Sequence, residues 1–264
     1  MPRRSILTAR QRAALIDLPK DEAGILHHYT LSDHDIEIIR TRRHARNRLG
    51  FALQLCAFRY PGRLLVSGEV IPEAVSRFIA AQLGEEMDEL SHYAETDVTR
   101  RRHLVDLRQA YGFRMFSGHR ARELKAWLAG EAENATTNHD FARRFVDECR
   151  RTRTILPGVS VIERLCADAL VAAERRIDSA IVARLDEPMK ARLDALLTDM
   201  VEGKVSRFVW LRQFEVGQNS ADASRLLDRL EFLHQMNLSP DIRSGMPPDR
   251  VTRLQRQGER YFAD

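Results

Sequence analysis

The chain has 264 residues, of which 44% are hydrophobic and 30% charged, and its formal net charge is +4. This length suffices for one large or two ordinary domains with a real core, and the composition excludes both a disordered chain and one built for the membrane. No stretch approaches the ~18 unbroken apolar residues of a spanning helix, and residues 1–5 lack the apolar run of a signal peptide, so we expect a cytoplasmic protein.

Apolar spacing predicts helices almost throughout and no convincing strand, which places the chain in the all-α class. The predicted helices cover residues 9–18, 33–43, 46–60, 72–83, 97–111, 118–129, 138–151 and 161–185, then a helix opening at 188, 204–214, 220–237 and a last one opening at 247. Capping boxes are predicted for Thr8 with Gln11 and for Ser160 with Glu163, and single caps for Ser32, Ser117, Asn138 and Ser220. The stretch 49–58 is apolar nearly all round, which predicts a buried helix.

The helical pattern breaks at residues 155–158, where Pro157 and Gly158 stand together. We therefore predict two helical domains built from short helices, an N-terminal DNA-binding domain over 1–155 and a second domain over 156–264. For the second domain, further DNA binding and a linker or dimerisation role are both open, because its charge is nearly balanced.

Arginine dominates the basic residues, with 38 Arg against only 4 Lys. Arginine pairs with phosphate through a planar fork and reads guanine edges, yet a GC-rich genome also favours it over lysine. The distribution is more informative: residues 38–68 carry seven arginines and no acid, residues 100–125 carry eight cations and two acids, and residues 69–97 carry eight acids and one arginine. Such basic clusters attract phosphates, although many are simply solvated helix faces. We expect the basic clusters to face DNA and the acidic segment to face elsewhere.

Two pairs of predicted helices resemble helix-turn-helix units, in which the start of the second helix reaches base edges. They cover residues 32–43 with 46–60 and residues 97–111 with 118–129, and residues 204–212 form a weaker third candidate. A flexible N-terminal arm with two arginines could enter the minor groove. The predicted DNA contacts are Arg3, Arg4, Arg40, Arg42, Arg43, Arg46, Asn47, Arg48, Arg100, Arg101, Arg108, His119, Arg120, Arg122, Lys125, Lys204, Arg207 and Arg212.

Several motifs resemble those of the Tn-three-type transposases, the large enzymes of replicative class II transposons. They are Pro2-Arg-Arg-Ser-Ile-Leu7, His28-Tyr-Thr-Leu-Ser-Asp33, Asn47-Arg-Leu-Gly-Phe-Ala-Leu-Gln-Leu-Cys56, Arg59-Tyr-Pro-Gly62, Thr99-Arg-Arg-Arg-His-Leu-Val-Asp-Leu107, Tyr111-Gly-Phe113, Ile155-Leu-Pro157, Glu163-Arg164 and Trp210-Leu-Arg-Gln213. They follow one another over most of the chain. The resemblance implies an all-helical N-terminal region that recognises the terminal inverted repeats of the transposon in double-stranded DNA. It also implies that the chemistry belongs to a later ribonuclease-H-like domain with a DDE triad and a divalent metal.

We expect no catalytic residue, metal site, cofactor or small-molecule substrate in this chain. A two-metal nuclease needs several carboxylates around two ions ~3.5–4 Å apart, whereas the acids here stand in the first turns of helices or in the acidic segment. The cysteines Cys56, Cys149 and Cys166 are scattered without a CxxC pair or a nearby histidine, which argues against a disulfide framework or a zinc site. We therefore expect a non-enzymatic chain, either excised or truncated from a longer transposase.

Two alternatives stay open beside direct DNA recognition. The chain could be chiefly a helical scaffold for a transposase homodimer or for a host replication factor, a role that suits the acidic segment and the apolar helix over 161–185. It could instead be a truncated regulator that occupies transposon ends and blocks the full enzyme. We expect the chain to lie in the bacterial cytoplasm, associated with the nucleoid and away from membranes.

Overall fold

The computed structural model describes residues 6–66, 68–87, 97–135, 137–212, 220–238, 240–248, 251, 252 and 256. These residues form twelve α-helices and four strands of two residues each. The all-α class predicted from the sequence is therefore confirmed, and the strands add only two short pairings to it.

The helices are α1 (Ala9–Ile16), α2 (Glu22–Tyr29), α3 (Asp33–Arg40), α4 (Ala45–Arg59), α5 (Glu73–Leu83), α6 (Asp97–Tyr111), α7 (Gly118–Glu131), α8 (Asn138–Arg151), α9 (Val159–Val182), α10 (Glu187–Thr198), α11 (Arg207–Arg212) and α12 (Ser220–Gln235). Strand β1 (Arg114–Met115) pairs in parallel with β2 (Thr154–Ile155), and β3 (Met200–Val201) pairs antiparallel with β4 (Val205–Ser206). Short 3-10 helices cover Ala132–Asn134 and Pro240–Gly245. None of the described helices is both long enough and apolar enough to cross a membrane.

Two compact units make up the chain, residues 1–169 and residues 170–264. The division falls within α9, whereas the sequence placed a boundary at 156–158. The first turns of α9 belong to the first unit, since Ile162 and Cys166 are fully buried and Glu163 accepts hydrogen bonds from Leu7 and Arg12. The segment just before α9 is also held there, because the Leu156 N–H donates to the Gly62 carbonyl at 2.8 Å.

Helix α4 forms the centre of the first unit. All of its residues from Leu49 to Phe58 are buried, as the apolar stretch predicted, and α2, α3, α5 and α6 pack around it. Fully burying one large apolar side chain stabilises the folded state by about 1.5–3 kcal/mol, so this one helix contributes a large share of the core. It also fixes the position of the turn that precedes it.

Side-chain caps fix the starts of several helices of the first unit. The capping box of Thr8 with Gln11 is present, and Ser32 forms another with Asp35. The expected Asn138 cap is wrong by one residue, since the hydroxyl of Thr137 accepts from the Asp140 N–H at 3.0 Å. Residue 117 stands at the start of α7 as predicted, but its side chain makes no capping hydrogen bond.

The predicted capping box of Ser160 with Glu163 is also wrong. Helix α9 begins at Val159, and the Glu163 carboxylate instead accepts hydrogen bonds from the Leu7 N–H and from the guanidinium of Arg12. A cationic partner supplied by another helix outcompetes the local backbone amides for this carboxylate. The contact fastens α1 to α9.

The second unit has few buried side chains among its described residues. Helices α10 and α11 pack on the β3–β4 hairpin, and the Trp210 and Phe232 rings meet edge to face at 5.9 Å. The short helix expected over 204–214 begins only at Arg207, because the preceding residues belong to the hairpin. Residues 213 and 214 lie outside the described residues.

Candidate nucleic-acid interface

The turn between α3 and α4 carries the densest part of the basic run. Helix α3 ends at Arg40, and α4 begins at Ala45 after His44, whose side chain makes no capping hydrogen bond. The first N–H groups of a helix lack partners inside the helix and attract anions. The turn therefore combines clustered guanidinium groups with a helix start that no side chain caps.

Arg42 of this turn and Arg48 at the start of α4 point inward. The Arg42 Nη1 donates to Asp106 Oδ2 of α6 at 2.5 Å, and its guanidinium lies 4.4 Å from the centre of the Phe51 ring. The Arg48 Nε donates to Glu85 Oε1 at 2.6 Å, and its Nη1 donates to the Arg42 carbonyl at 3.2 Å. Both were predicted DNA contacts, and both are bonded within the protein.

Carboxylates from other segments also bind the remaining arginines near the end of α4. Arg59 forms a two-bond pair with the buried Asp35, and Arg63 forms one with Glu69. Four of the seven arginines in the acid-free run are thus paired with acids, three of them with acids more than 20 residues away in sequence. Two members of the acidic segment, Glu69 and Glu85, thus pair with arginines of the basic run.

The other cations of the turn stay at the surface. Arg40 and Arg43 are exposed and form no ion pair with any described carboxylate, whereas Arg46 and Asn47 are half-buried at the start of α4. On α6, Arg102 is exposed one turn before Asp106 and on the same side of the helix, so it lies next to this turn. We call the side chains of these five residues the turn surface: Arg40, Arg43, Arg46, Asn47 and Arg102.

The three predicted contacts on α6 differ in their surroundings. Arg100 is half-buried, and its Nη2 donates to the Leu65 carbonyl at 2.8 Å. Arg101 and Arg108 are exposed on the outer face of the helix, seven residues apart. Only these last two keep their guanidinium groups at the surface.

Helix α7 presents a second group of cations. Arg120 is bonded internally to the Thr152 carbonyl and the Thr154 hydroxyl, while Arg122 and Lys125 are exposed and pair with no described carboxylate. His119 is exposed and lies 3.3 Å from Glu123. Arg120 thus bonds the start of α7 to residues 152–154, whereas the side chains of His119, Arg122 and Lys125 remain at the surface.

The remaining predicted contacts lie in the second unit or outside the described residues. Lys204 is exposed on the β3–β4 hairpin, 3.7 Å from Glu202. Arg207 lies over the Phe232 ring at 4.9 Å, and Arg212 over the Phe208 ring at 5.6 Å. Arg3 and Arg4 fall outside the described residues.

Burial and charge shift two ionisable groups beneath the turn. Burial alone would raise the pKa of Asp35, but hydrogen bonds from Arg59 and Ser32 outweigh it and lower that pKa to about 2. Burial, together with the nearby charge of Arg42, lowers the pKa of His103 to about 4. At neutral pH Asp35 is therefore a carboxylate paired with Arg59, and His103 is neutral against the Phe51 ring.

Metal and thiol chemistry find little support in the described residues. These contain no group of three or more His, Cys, Asp or Glu side chains that could hold a metal ion. All three cysteines are free and buried, and burial raises the pKa of each thiol to about 12. Such thiols are poor nucleophiles at neutral pH.

Two exposed arginines were missed from the sequence. Arg102 joins the turn surface only because Arg42 pairs with Asp106, and nothing in the local spacing signals that contact. Arg114 is exposed on β1, just before α7, a strand that the residue pattern did not predict. Both lie within the basic cluster of residues 100–125, whose charge density was the available signal.

Comparison with known proteins gives this geometry a context. The chain is 36% identical to the transposase for transposon Tn3926 from Escherichia coli, 34% to that for transposon Tn501 from Pseudomonas aeruginosa and 30% to that for transposon Tn1546 from Enterococcus faecium. Each alignment covers 98% of this chain and 26% of the relative, so the chain spans about a quarter of the length of these proteins. The resemblance to transposases predicted from the motifs is confirmed.

A family model described as "Domain of unknown function (DUF4158)" matches residues 6–169. The match ends at the residue where the first compact unit ends. The chain therefore belongs to this DUF4158 family, with the family domain filling its first unit.

Proposed function

We propose that the chain binds double-stranded DNA sequence-specifically at the terminal inverted repeats of a transposon, as the end-recognition part of a transposase. On this proposal it acts on DNA in the bacterial nucleoid, and the strand chemistry belongs to other parts of the full-length protein. The similarity to three transposases over nearly the whole chain supports the role, and the exposed cations of the first unit supply the contacts.

The observation that carries the proposal is how the arginines divide. Internal carboxylates bind Arg42, Arg48, Arg59 and Arg63, while Arg40, Arg43 and Arg102 remain exposed and without an ion pair to any described acid. Clustered cations repel one another, and a phosphate backbone relieves that repulsion as its counterions are released. The turn surface is thus suited to a polyanion.

The helix starts favour the same partner. His44 before α4, Pro72 before α5 and Ser117 before α7 provide no side-chain cap, and of these three starts those of α4 and α7 carry the clustered cations. Phosphate oxygens can accept from the backbone N–H groups left at such starts. We infer that α4 and α7 approach DNA by their N-terminal ends.

Base recognition falls to the first turn of α4. Asn47 can bond adenine through two hydrogen bonds, and Arg46 can bond guanine in the same way. Arg40, Arg43 and Arg102 then contact phosphates and fix the register of the helix on the duplex. Arg122 and Lys125 extend the phosphate contacts along α7.

The direct test measures binding of the whole chain to a labelled duplex with the terminal repeat of its own element, against a scrambled duplex of the same composition. Fluorescence anisotropy at several salt concentrations gives both affinities and their salt dependence. Specific sites are bound ~10³-fold or more tightly than random DNA, and we expect at least that ratio. Equal affinities for both duplexes would reject sequence-specific recognition.

The first prediction concerns the removal of a single cation from the turn surface. Arg43→Ala should weaken binding to both duplexes and lower the slope of log affinity against log salt by about one, because one phosphate contact is lost. Arg77→Ala is the matched control, since Arg77 is exposed on α5 and paired with Glu73. If Arg43→Ala leaves the slope at the wild-type value, as we expect of Arg77→Ala, the turn surface does not contact the DNA.

A second candidate function is favoured by one observation in the second unit. Four leucines of α12 are exposed, namely Leu226, Leu227, Leu230 and Leu233. An apolar helix face of this kind suits a protein partner, including a second transposase protomer. On this alternative the DNA-free chain elutes as a dimer in size-exclusion chromatography and Leu230→Asp makes it a monomer, whereas elution of the unaltered chain as a monomer counts against homodimerisation.

A further inference from the structure

A line of hydrogen bonds passes beneath the α3–α4 turn. We propose that Arg42 and Arg48 are positioning residues: they hold the turn in the geometry that base recognition requires, with Glu85 and Asp106 as their anchors. This inference rests on the proposed function, because it assigns a role to two arginines that the turn surface does not use.

The contacts follow one another without a gap. Glu85 Oε1 accepts from Arg48 Nε at 2.6 Å, the Arg42 carbonyl accepts from Arg48 Nη1 at 3.2 Å, and Asp106 Oδ2 accepts from Arg42 Nη1 at 2.5 Å. Arg48 thus holds the turn through the backbone carbonyl of Arg42, and Asp106 holds it through the Arg42 side chain. Arg48 is bonded in turn to Glu85 at the end of α5, whereas Asp106 lies on α6.

Both anchors are firmly placed. Glu85 follows Gly84, which has φ of +68° at the end of α5, and the Glu85 N–H donates to the Ala80 carbonyl at 3.0 Å. Asp106 lies on α6 beside the fully buried Leu107. The side chains along the line are between 16% and 29% exposed, so water competes only weakly for these bonds.

The start of α4 explains why such support is needed. His44 provides no side-chain cap, so the first turn of the helix lacks the usual local restraint. The Arg48 side chain reaches back to a carbonyl six residues earlier and closes the turn from below. Base recognition requires side chains placed within about 0.5 Å, and the line supplies that rigidity to Arg46 and Asn47.

Arg48 serves this role through geometry more than through charge. Its guanidinium bonds Glu85 and the Arg42 carbonyl at the same time, which a lysine ammonium on a flexible stem reproduces poorly. Arg48→Lys therefore keeps the positive charge but breaks the line of hydrogen bonds between Glu85 and the Arg42 carbonyl. A phosphate-binding residue would tolerate the same change far better.

The decisive experiment compares Glu85→Gln with Glu69→Gln in the full chain. Both carboxylates pair with an arginine and are similarly buried, but Glu69 binds Arg63 away from the turn. Glu85→Gln and Arg48→Lys should reduce the preference for the terminal repeat about tenfold, the loss of roughly one base contact, and leave the salt slope unchanged. Glu69→Gln should keep the wild-type preference.

A second measurement needs no DNA. Backbone amide hydrogen exchange over residues 41–48 should accelerate in Glu85→Gln and stay at the wild-type rate in Glu69→Gln, because only the first variant frees the turn. Unchanged exchange in Glu85→Gln overturns the positioning role even if the unaltered protein discriminates well. Accelerated exchange in a protein that shows no discrimination overturns the proposed function and keeps the support of the turn.

The opposite direction of change is also informative. If Glu85→Gln binds random duplex more tightly than the unaltered protein does, Glu85 competes with phosphate for Arg48, and the positioning role is wrong. The same holds if Arg48→Lys keeps the full preference for the terminal repeat.

Discussion

Single buried side chains give the first unit a distinct response to pH. His103 packs edge to face on the Phe51 ring at 5.2 Å and lies near the Arg42 charge, and both its burial and this charge disfavour the imidazolium. Asp35 is also buried but is charged, because its carboxylate accepts two hydrogen bonds from the Arg59 guanidinium and one from the Ser32 N–H. In the folded protein His103 therefore takes up a proton near pH 4, whereas Asp35 stays ionised down to about pH 2.

The histidine leads to a prediction for stability. In the unfolded chain His103 takes up a proton below about pH 6.5, whereas in the folded protein it does so only near pH 4. The free energy of unfolding should therefore fall by about 3 kcal/mol as the pH drops from 6.5 to 4. Urea denaturation of His103→Gln should show a flatter pH dependence over this range.

The unaltered protein, measured over the same pH range, is the reference for that measurement. A His103→Gln variant with the same slope as the unaltered protein would show that His103 is protonated in the folded state.

At the scale of helices, local signals predicted most elements and failed where partners are distant. The boxes Thr8 with Gln11 and Ser32 with Asp35 satisfy neighbouring amides and are visible in the sequence. Glu163 carries the same local signature, but Arg12 of α1 binds it. No local pattern reports a contact across 151 residues.

Helix α2 and the four short strands were not predicted from the sequence, for the same reason. Helix α2 contains Gly24 and two histidines, which are weak helix formers, and depends on the Asp21 cap and on the burial of Ile25 and Tyr29. Each strand has only two residues, too few to produce an alternating pattern. Tertiary packing decides both features.

For the candidate site, the sequence located the charge but not its partners. The acid-free run around α4 was visible, and so were its exposed members Arg40 and Arg43. That Arg42 and Arg48 bind Asp106 and Glu85 depends on how α5 and α6 pack against α4. Contacts of that kind follow from the fold and not from spacing along the chain.

At the scale of the whole molecule, the two units lead to a prediction about fragments. A fragment of residues 1–169 should unfold in one cooperative transition, because it contains the complete first unit. A fragment of residues 1–155 lacks the buried Ile162 and Cys166 and the Glu163 contact with Arg12. Losing one large buried side chain costs about 2–5 kcal/mol, so the shorter fragment should be less stable by at least that amount.

Circular dichroism during urea denaturation distinguishes the two fragments. Equal stability of both would show that the first turns of α9 are dispensable and that the sequence boundary at 156–158 is the physical one. A broad transition of the fragment of residues 1–169 would contradict the prediction that the first unit unfolds cooperatively.

The forked bonding of the internal arginines bears on the large excess of arginine over lysine. The Arg150 guanidinium donates to the Pro61 and Leu15 carbonyls and to Asp147, and Arg120 likewise donates to three partners. Each such side chain joins segments far apart in the chain, as a cross-link would. Genome composition can favour arginine codons, but at these positions the packing requires a guanidinium. An ammonium group would keep the charge and leave backbone carbonyls without donors.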